Sequence, residues 1–271
     1  MLLKGYIEES YNERMFTLSA VLATGLNWAW FESHWKKRIA AKNKALKREG
    51  RPEISRFHAS DLSNLKGEFQ GWTTDEQIAF MQDLIGVFRK SKYMIISAYS
   101  LPLDVFVAEF PEWKRKVLPY SYSILLKFLM LEIATEYERA RIIGSVRPVH
   151  IALTHDRSSC DAVLLRAFNQ MLGDQGFEGR KYFSSIAPLA WEQCIPLQAA
   201  DFLAYEHMKD ADRKATGSTR QQRKSLAALL DLPSLGGRTR RFDVQSLHKL
   251  RLSLERGKRD KLRTRDAPPD L

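Results

Sequence analysis

Apolar and polar positions alternate in blocks along this chain, and the blocks predict strands first and helices later. Leu2 to Glu8 is a short apolar run that ends in acids, which predicts a first strand. Arg14 to Thr24 (RMFTLSAVLAT) predicts its hairpin partner, with Ser10 to Glu13 as the turn. Asn27 is placed to cap a helix carrying Trp28, Phe31, Trp35 and Ile39 at helical spacing, and Gly50 to Pro52 breaks it. A loop holds Phe57-His58-Ala59-Ser60-Asp61-Leu62. Thr73-Thr74-Asp75-Glu76 is a capping-type start for a helix to about Lys90. Tyr93 to Leu101 is a β-rich run, and Tyr120 to Ile143 carries Leu125, Phe128, Leu129, Ile133 and Tyr137 at helical spacing. Pro148 to Thr154 predicts a strand with Asp156 just past its end, Asp161 to Leu172 a helix, and Tyr182 to Ala187 the last strand. Pro196 opens a helix that carries Gln198, Asp201 and Tyr205.

Strands first, then strands alternating with helices, predict an α/β fold with a mixed sheet, antiparallel at its start and parallel later. The pattern weakens after about Ala211, where one amphipathic piece, Val244 to Leu254, predicts a helix. The division expected is a domain over 1–211 and a basic extension over 212–271, partly helical or disordered.

Charge sharpens that division. The net charge is +11, and the segment from Ala211 to Leu271 holds 16 Lys and Arg against 7 Asp and Glu. It therefore carries +9, and the first 210 residues carry +2. Such a segment attracts polyanions by neutralising phosphates and releasing counterions. The other reading is a solvated tail that keeps the protein soluble.

The two cysteines, Cys160 and Cys194, form neither a disulfide framework nor a zinc-type pair, and they read as thiols of a reducing compartment. Acids stand near the start where a signal peptide needs an apolar run, and stretches such as Phe16 to Leu26 are too short to span a bilayer. The expectation is a cytoplasmic protein with no membrane partner.

Four groups could carry chemistry. Glu8-Glu9-Ser10 ends the first strand; neighbouring strand residues face opposite ways, so one acid faces a shared site, and the other reading is a polar turn. His58 and Asp61 reach one cleft if their segment makes a single turn, or else form a local hydrogen-bonded turn. Asp156 lies at the carboxyl end of a strand, where open α/β sheets hold their sites, or else it caps a helix. Gln198, Asp201 and Tyr205 fall on one face of a helix otherwise made of packing residues, and buried polar groups there need partners.

YIEES near the start, RFHASDL in the middle and PLQAADFLAYE near the end resemble the DUF3800 family, over about residues 1 to 211 by motif order. These are mostly prokaryotic proteins regarded as ribonuclease-H-like in fold. Glu8-Glu9-Ser10 stands where the family has Asp-Glu-Ser, so Glu8 adds one methylene, and Tyr11 stands where a Gly commonly follows. His58 and Asp61 fit the H-x-x-D-L segment, and Gln198 and Asp201 fit the Q-x-x-D motif. Asp156 fits by placement.

The resemblance implies a ribonuclease-H-like nuclease that hydrolyses phosphodiesters with Mg²⁺ or Mn²⁺ held by Glu8, Asp156 and Asp201. Glu9, His58 and Asp61 would support those ligands or carry protons. Gln198, Tyr205 and Ser10 would touch substrate. Nucleic acid, DNA or RNA, is the expected partner, and a homodimer is allowed for. The competing expectation is a non-catalytic nucleic-acid-binding or interaction module of a defence or mobile-element system, favoured by the change at Glu8. A phosphoesterase of small substrates is a third.

Overall fold

A computed structural model describes residues 2–91, 94–142, 150–191, 194–231, 235–236 and 239–265. The expected strand starts at Tyr93 and Pro148 and the helix end at Ile143 lie outside them.

The chain is a mixed α/β fold built on one mixed sheet flanked by helices. Strand β1 (Leu2–Tyr11) pairs antiparallel with β2 (Met15–Thr24), so the first hairpin forms as the alternation predicts. After α1 (Gly25–Arg48), α2 (Ala59–Asn64) and α3 (Thr74–Lys90), the chain enters β3 (Met94–Pro102), which pairs antiparallel with β2. Helices α4 (Leu103–Glu109) and α5 (Val117–Ile142) lead to β4 (His150–Asp156), and α6 (Asp161–Gly173) leads to β5 (Phe183–Leu189). β4 lies parallel to β1, and β5 parallel to β4. Helix α7 (Ile195–Ala215) follows.

The spatial order is β5-β4-β1-β2-β3, extended beyond β3 by β6 (Leu235–Gly236) and β7 (Thr239–Arg241). Both short pieces run parallel to β3, so they share a sixth strand position. Strand β2 alone among these runs against the rest. Gly5 lets β1 sit between its neighbours: a Cβ there would lie 2.7 Å from Leu153 Cδ2 and 3.1 Å from Leu22 Cγ.

Alternation along the strands divides the core. Leu3 and Ile7 face the layer made by α5 and α6, where Leu125, Leu129, Ile133, Leu164 and Phe168 pack. Tyr6, Val21 and Ile96 face α1, α3 and α7, where Trp28, Phe31, Trp35, Phe88 and Phe202 pack. Each buried aromatic removes on the order of 150–250 Å² from water, so these layers hold most of the stability.

Three local expectations change. Thr24, not Asn27, caps α1: its hydroxyl accepts the Asn27 N–H at 3.3 Å, because the helix starts at Gly25, ahead of Asn27. The segment around Asp61 is a short helix, α2, rather than a loop. The run Pro111–Arg139 is long and apolar enough to cross a membrane, by length and composition, although the apolar stretches read as too short. Most of its apolar side chains, among them Leu125, Leu126, Leu129 and Met130, are buried in the core, while Leu131 is exposed. The Thr73–Glu76 capping box starts α3 as read: Thr73 Oγ1 accepts the Glu76 N–H and Glu76 accepts the Thr73 N–H.

Residue 211 lies inside α7, so the composition boundary is not a break in the backbone. Beyond it, α8 (Lys224–Leu230) buries Leu226 and Leu229, and α9 (Val244–Arg265) buries Leu247. Phe242 stacks edge-on against Phe128 at 4.8 Å, which ties this segment to the α5 layer.

Candidate functional site

Strand register sets the first two acids side by side. Ile7 and His155 are the last paired residues of β1 and β4. One residue on, Glu8 and Asp156 reach the same end of adjacent parallel strands, on the face opposite Ile7. That face is covered by α7. The Ser19 hydroxyl donates to the Ala200 carbonyl at 2.8 Å and holds α7 against β2. Asp201, the next residue, then meets the strand ends.

Glu8, Glu9, Ser10, Asp156, Gln198, Asp201 and His58 line one cavity of about 410 Å³, together with Tyr11, Arg56, Phe57, Ser60, Trp191 and Leu197. The cavity opens at the carboxyl ends of β1 and β4. Backbone N–H groups hold one oxygen of each of three acids. Glu8 Oε2 accepts from Glu9 at 3.3 Å, Asp201 Oδ2 from Ala59 at 2.8 Å, and Asp156 Oδ1 from Arg157 at 2.9 Å and Trp191 at 3.2 Å. Asp156 therefore turns back on its own loop and does not cap α6.

The acids oppose one another's ionisation. Burial pushes the Glu8 carboxyl well above the usual range, and the charges of Glu9, Asp201 and Asp156 add to the push. Burial likewise raises Asp201 to about 6, against the pull of His58, the Ala59 N–H and Arg56. Glu9 lies on the opposite face of β1 and is also raised, mainly by burial. The buried Tyr122 phenol donates a hydrogen bond to it, and its own ionisation is pushed up by burial and by Glu9.

Among the described residues, no group of three or more His, Cys, Asp or Glu side chains is close enough together to hold a metal ion. The acids share a cavity and a field, but their oxygens do not close a coordination shell as they stand.

The other expected residues divide. Gln198 lines the cavity, yet its Oε1 accepts from Trp35 Nε1 at 2.9 Å and from the Phe57 N–H at 3.0 Å. Its carbonyl thus fastens the 56–58 segment to α1 and α7, so it positions Arg56 and His58. Ser10 lines the wall beside Glu9. Asp61 is not among the lining residues; its Oδ2 lies 2.7 Å from His58 Nδ1. That pair does not meet hydrogen-bond geometry, and Nδ1 has no hydrogen-bond partner among the described residues, so the contact is one of charge when the imidazole is protonated. Tyr205 is apart from the cavity. Its ring is buried, with Lys209 Nζ 5.3 Å and Arg223 Cζ 5.7 Å from its centre, and its hydroxyl finds no hydrogen-bond partner among the described residues.

Sequence reading passed over Arg56, Ser60, Trp191 and Tyr122. Arg56 sits two residues before His58, inside the RFHASDL segment, and that proximity was a usable signal. Trp191 and Tyr122 lie on elements whose approach to β1 no local pattern announces.

No protein-family model matches this chain, and no curated protein matches it.

Proposed function

We propose that this chain is a divalent-metal-dependent nuclease of the ribonuclease-H-like kind, hydrolysing phosphodiester bonds at the Glu8–Asp156–Asp201 cavity. The observation that carries the reading is the meeting of these three acids, from the first strand, the fourth strand and the helix after the fifth, in one cavity where the charges of Asp201 and Asp156 add to the rise of Glu8. The strand order β5-β4-β1-β2-β3 with β2 reversed supports the fold assignment. The YIEES, RFHASDL and PLQAADF segments support kinship with DUF3800 proteins.

The donor chemistry fits Mg²⁺ or Mn²⁺: the donors are carboxylate oxygens, and their mutual repulsion is relieved by a cation. Glu8, Asp156 and Asp201 would hold it, after side-chain movements that draw their oxygens together. The chemistry supplied by such an ion is activation of water and relief of charge on the leaving oxygen. The chain's own groups do the rest. The backbone N–H groups of Ala59, Arg157 and Trp191 fix the carboxylates in orientation. His58 stands at the cavity wall with Asp61 behind it, able to carry a proton. Arg56 supplies positive charge towards phosphate. In hydrolysis the water oxygen bonds to phosphorus and the bond to the leaving oxygen breaks. The proton lost by water passes to a base, and one is returned to the leaving oxygen.

Cleavage of labelled oligonucleotides in Mn²⁺, with and without EDTA, tests this. Activity that persists fully in EDTA overturns it.

The open coordination geometry and the longer Glu8 side chain favour a second reading, a nucleic-acid-binding module that does not cleave. Titration calorimetry with Mn²⁺ separates the two: absence of binding selects the module.

A further inference from the structure

Besides its acids, the cavity is lined by one cation and by aromatic rings. The Arg56 guanidinium lies over the Trp191 indole, with Cζ 3.7 Å from the ring centre. Arg56 is the only Lys or Arg among the described residues that line the cavity. Trp191 is half-buried, and its backbone N–H is one of the two that hold Asp156 Oδ1. Tyr11, at the end of β1, leaves 53% of its surface exposed beside Ser10, and its ring stacks on Phe16 at 5.9 Å.

A phosphodiester approaching four carboxylates meets repulsion, so a compensating cation and a second source of affinity are needed. An aromatic face offers that source only to a base whose own face is uncovered. In a duplex each base face is covered by its neighbours, and exposing it breaks stacking and pairing. In a single strand, stacking on an aromatic side chain adds affinity for any base.

We propose that this cavity takes an unpaired polynucleotide strand, and that Arg56 and Trp191 are its clamp. This rests on the nuclease reading for the position of the scissile bond, but not for binding. A base takes the place of Arg56 on the indole, and the released guanidinium turns to the adjoining phosphate. Tyr11 receives the next base along the strand. The cation–π pair holds Arg56 ready at the cavity until the strand arrives.

The test uses the full chain and a fluorescein-labelled 16-nucleotide DNA of mixed sequence, single-stranded or annealed to its complement, with the RNA of the same sequence alongside. Binding is read by anisotropy in Ca²⁺ buffer, and cleavage by gel in Mn²⁺ buffer. Trp191→Ala weakens single-strand binding about tenfold and changes duplex binding less than twofold. Trp191→Phe restores most of the loss, which separates stacking from a folding defect. Arg56→Ala weakens single-strand binding and lowers the salt slope by about one. The DNA and RNA arms decide which sugar is preferred. Unchanged single-strand affinity in folded Trp191→Ala, or equal losses on both substrates, overturns the clamp. Binding through Trp191 without cleavage keeps the clamp and sinks the nuclease. Equal cleavage of duplex and single strand keeps the nuclease and sinks the clamp.

Discussion

On helix α7 the half-buried Asp201 and the buried Glu206 meet opposite fates. Asp201 and Glu206 are five residues apart, about 140° round the helix, so they face different neighbours. Glu206 is 1% exposed, and it is answered: Arg223 Nε donates at 3.0 Å and Ser225 Oγ at 2.7 Å. Asp201 adds to the push on Glu8 and is itself pushed by Glu9, with one backbone N–H and the charges of His58 and Arg56 in compensation. Burial raises both carboxyls, but the Arg223 charge pulls Glu206 back while Glu9 pushes Asp201 further up. A fold that neutralises one acid and leaves the other among its like has built a structural pair and a reactive cavity on one helix. Charge left unanswered at a cavity is the mark of a site; charge answered in the interior is the mark of packing.

The largest effect breaks the cavity end. Asp201→Asn keeps the acceptor for the Ala59 N–H but removes the charge, so Mn²⁺-dependent cleavage should fall about a thousandfold, about 4 kcal/mol of barrier. Oligonucleotide cleavage measures it, and near-normal activity in the variant removes Asp201 from the chemistry. The ion-paired end should respond in stability instead. Arg223→Ala leaves Glu206 buried with Ser225 alone and should cost about 2–4 kcal/mol in urea unfolding, with cleavage little changed. If stability holds and cleavage collapses, the contrast drawn along α7 is wrong.

A pH series sharpens the same contrast. Folding raises the Asp201 carboxyl from 3.8 to about 6. A raised carboxyl favours the folded state while protonated, so its support is present below about pH 4 and lost as pH rises through about 6. In EDTA, the stability of Asp201→Asn relative to wild type should therefore grow by about 1–3 kcal/mol between pH 4 and pH 8. Thermal melts check this, and a gap that stays constant with pH denies that burial in this cavity raises the Asp201 carboxyl. Mn²⁺ should narrow the gap at pH 8, because binding to the folded wild type adds stability by mass action.

The smallest effect concerns the basic C-terminal segment. Arg240 on β7 and Lys249 on α9 are exposed. Replacing both with Ala should lower the slope of log affinity against log salt by about one to two and weaken binding most at low salt. An unchanged slope takes these two residues out of nucleic-acid contact.

Much of the fold was legible because it is local. Alternation in Leu2 to Glu8 and Arg14 to Thr24 predicted the opening hairpin, the Thr73–Glu76 box predicted the start of α3, and helical spacing predicted α5. The acids were legible as candidates because acids at a strand end and amid an apolar helix are out of place unless used. The cap expected at Asn27 falls at Thr24 because both are good capping types, and only the path of the chain out of β2 decides between them. Tyr205 failed because helical spacing cannot say where along a helix a cavity ends.

By itself, the sequence determined the order of the main elements from β1 to α7, the inward faces of those strands and helices, and the unusual positions of Glu8, Asp156 and Asp201, while the short β6 and β7 beyond the strand read as last escaped it. Tertiary structure alone decided that β4 lies beside β1, which sets Glu8 next to Asp156, and that α7 crosses those strand ends to add Asp201. It also decided that Arg223 reaches Glu206, and that Arg56 meets Trp191 across 135 positions of chain. Periodicity is a property of neighbours along a backbone, whereas repulsion, pairing and stacking depend on distances through space that strand register and helix packing set together.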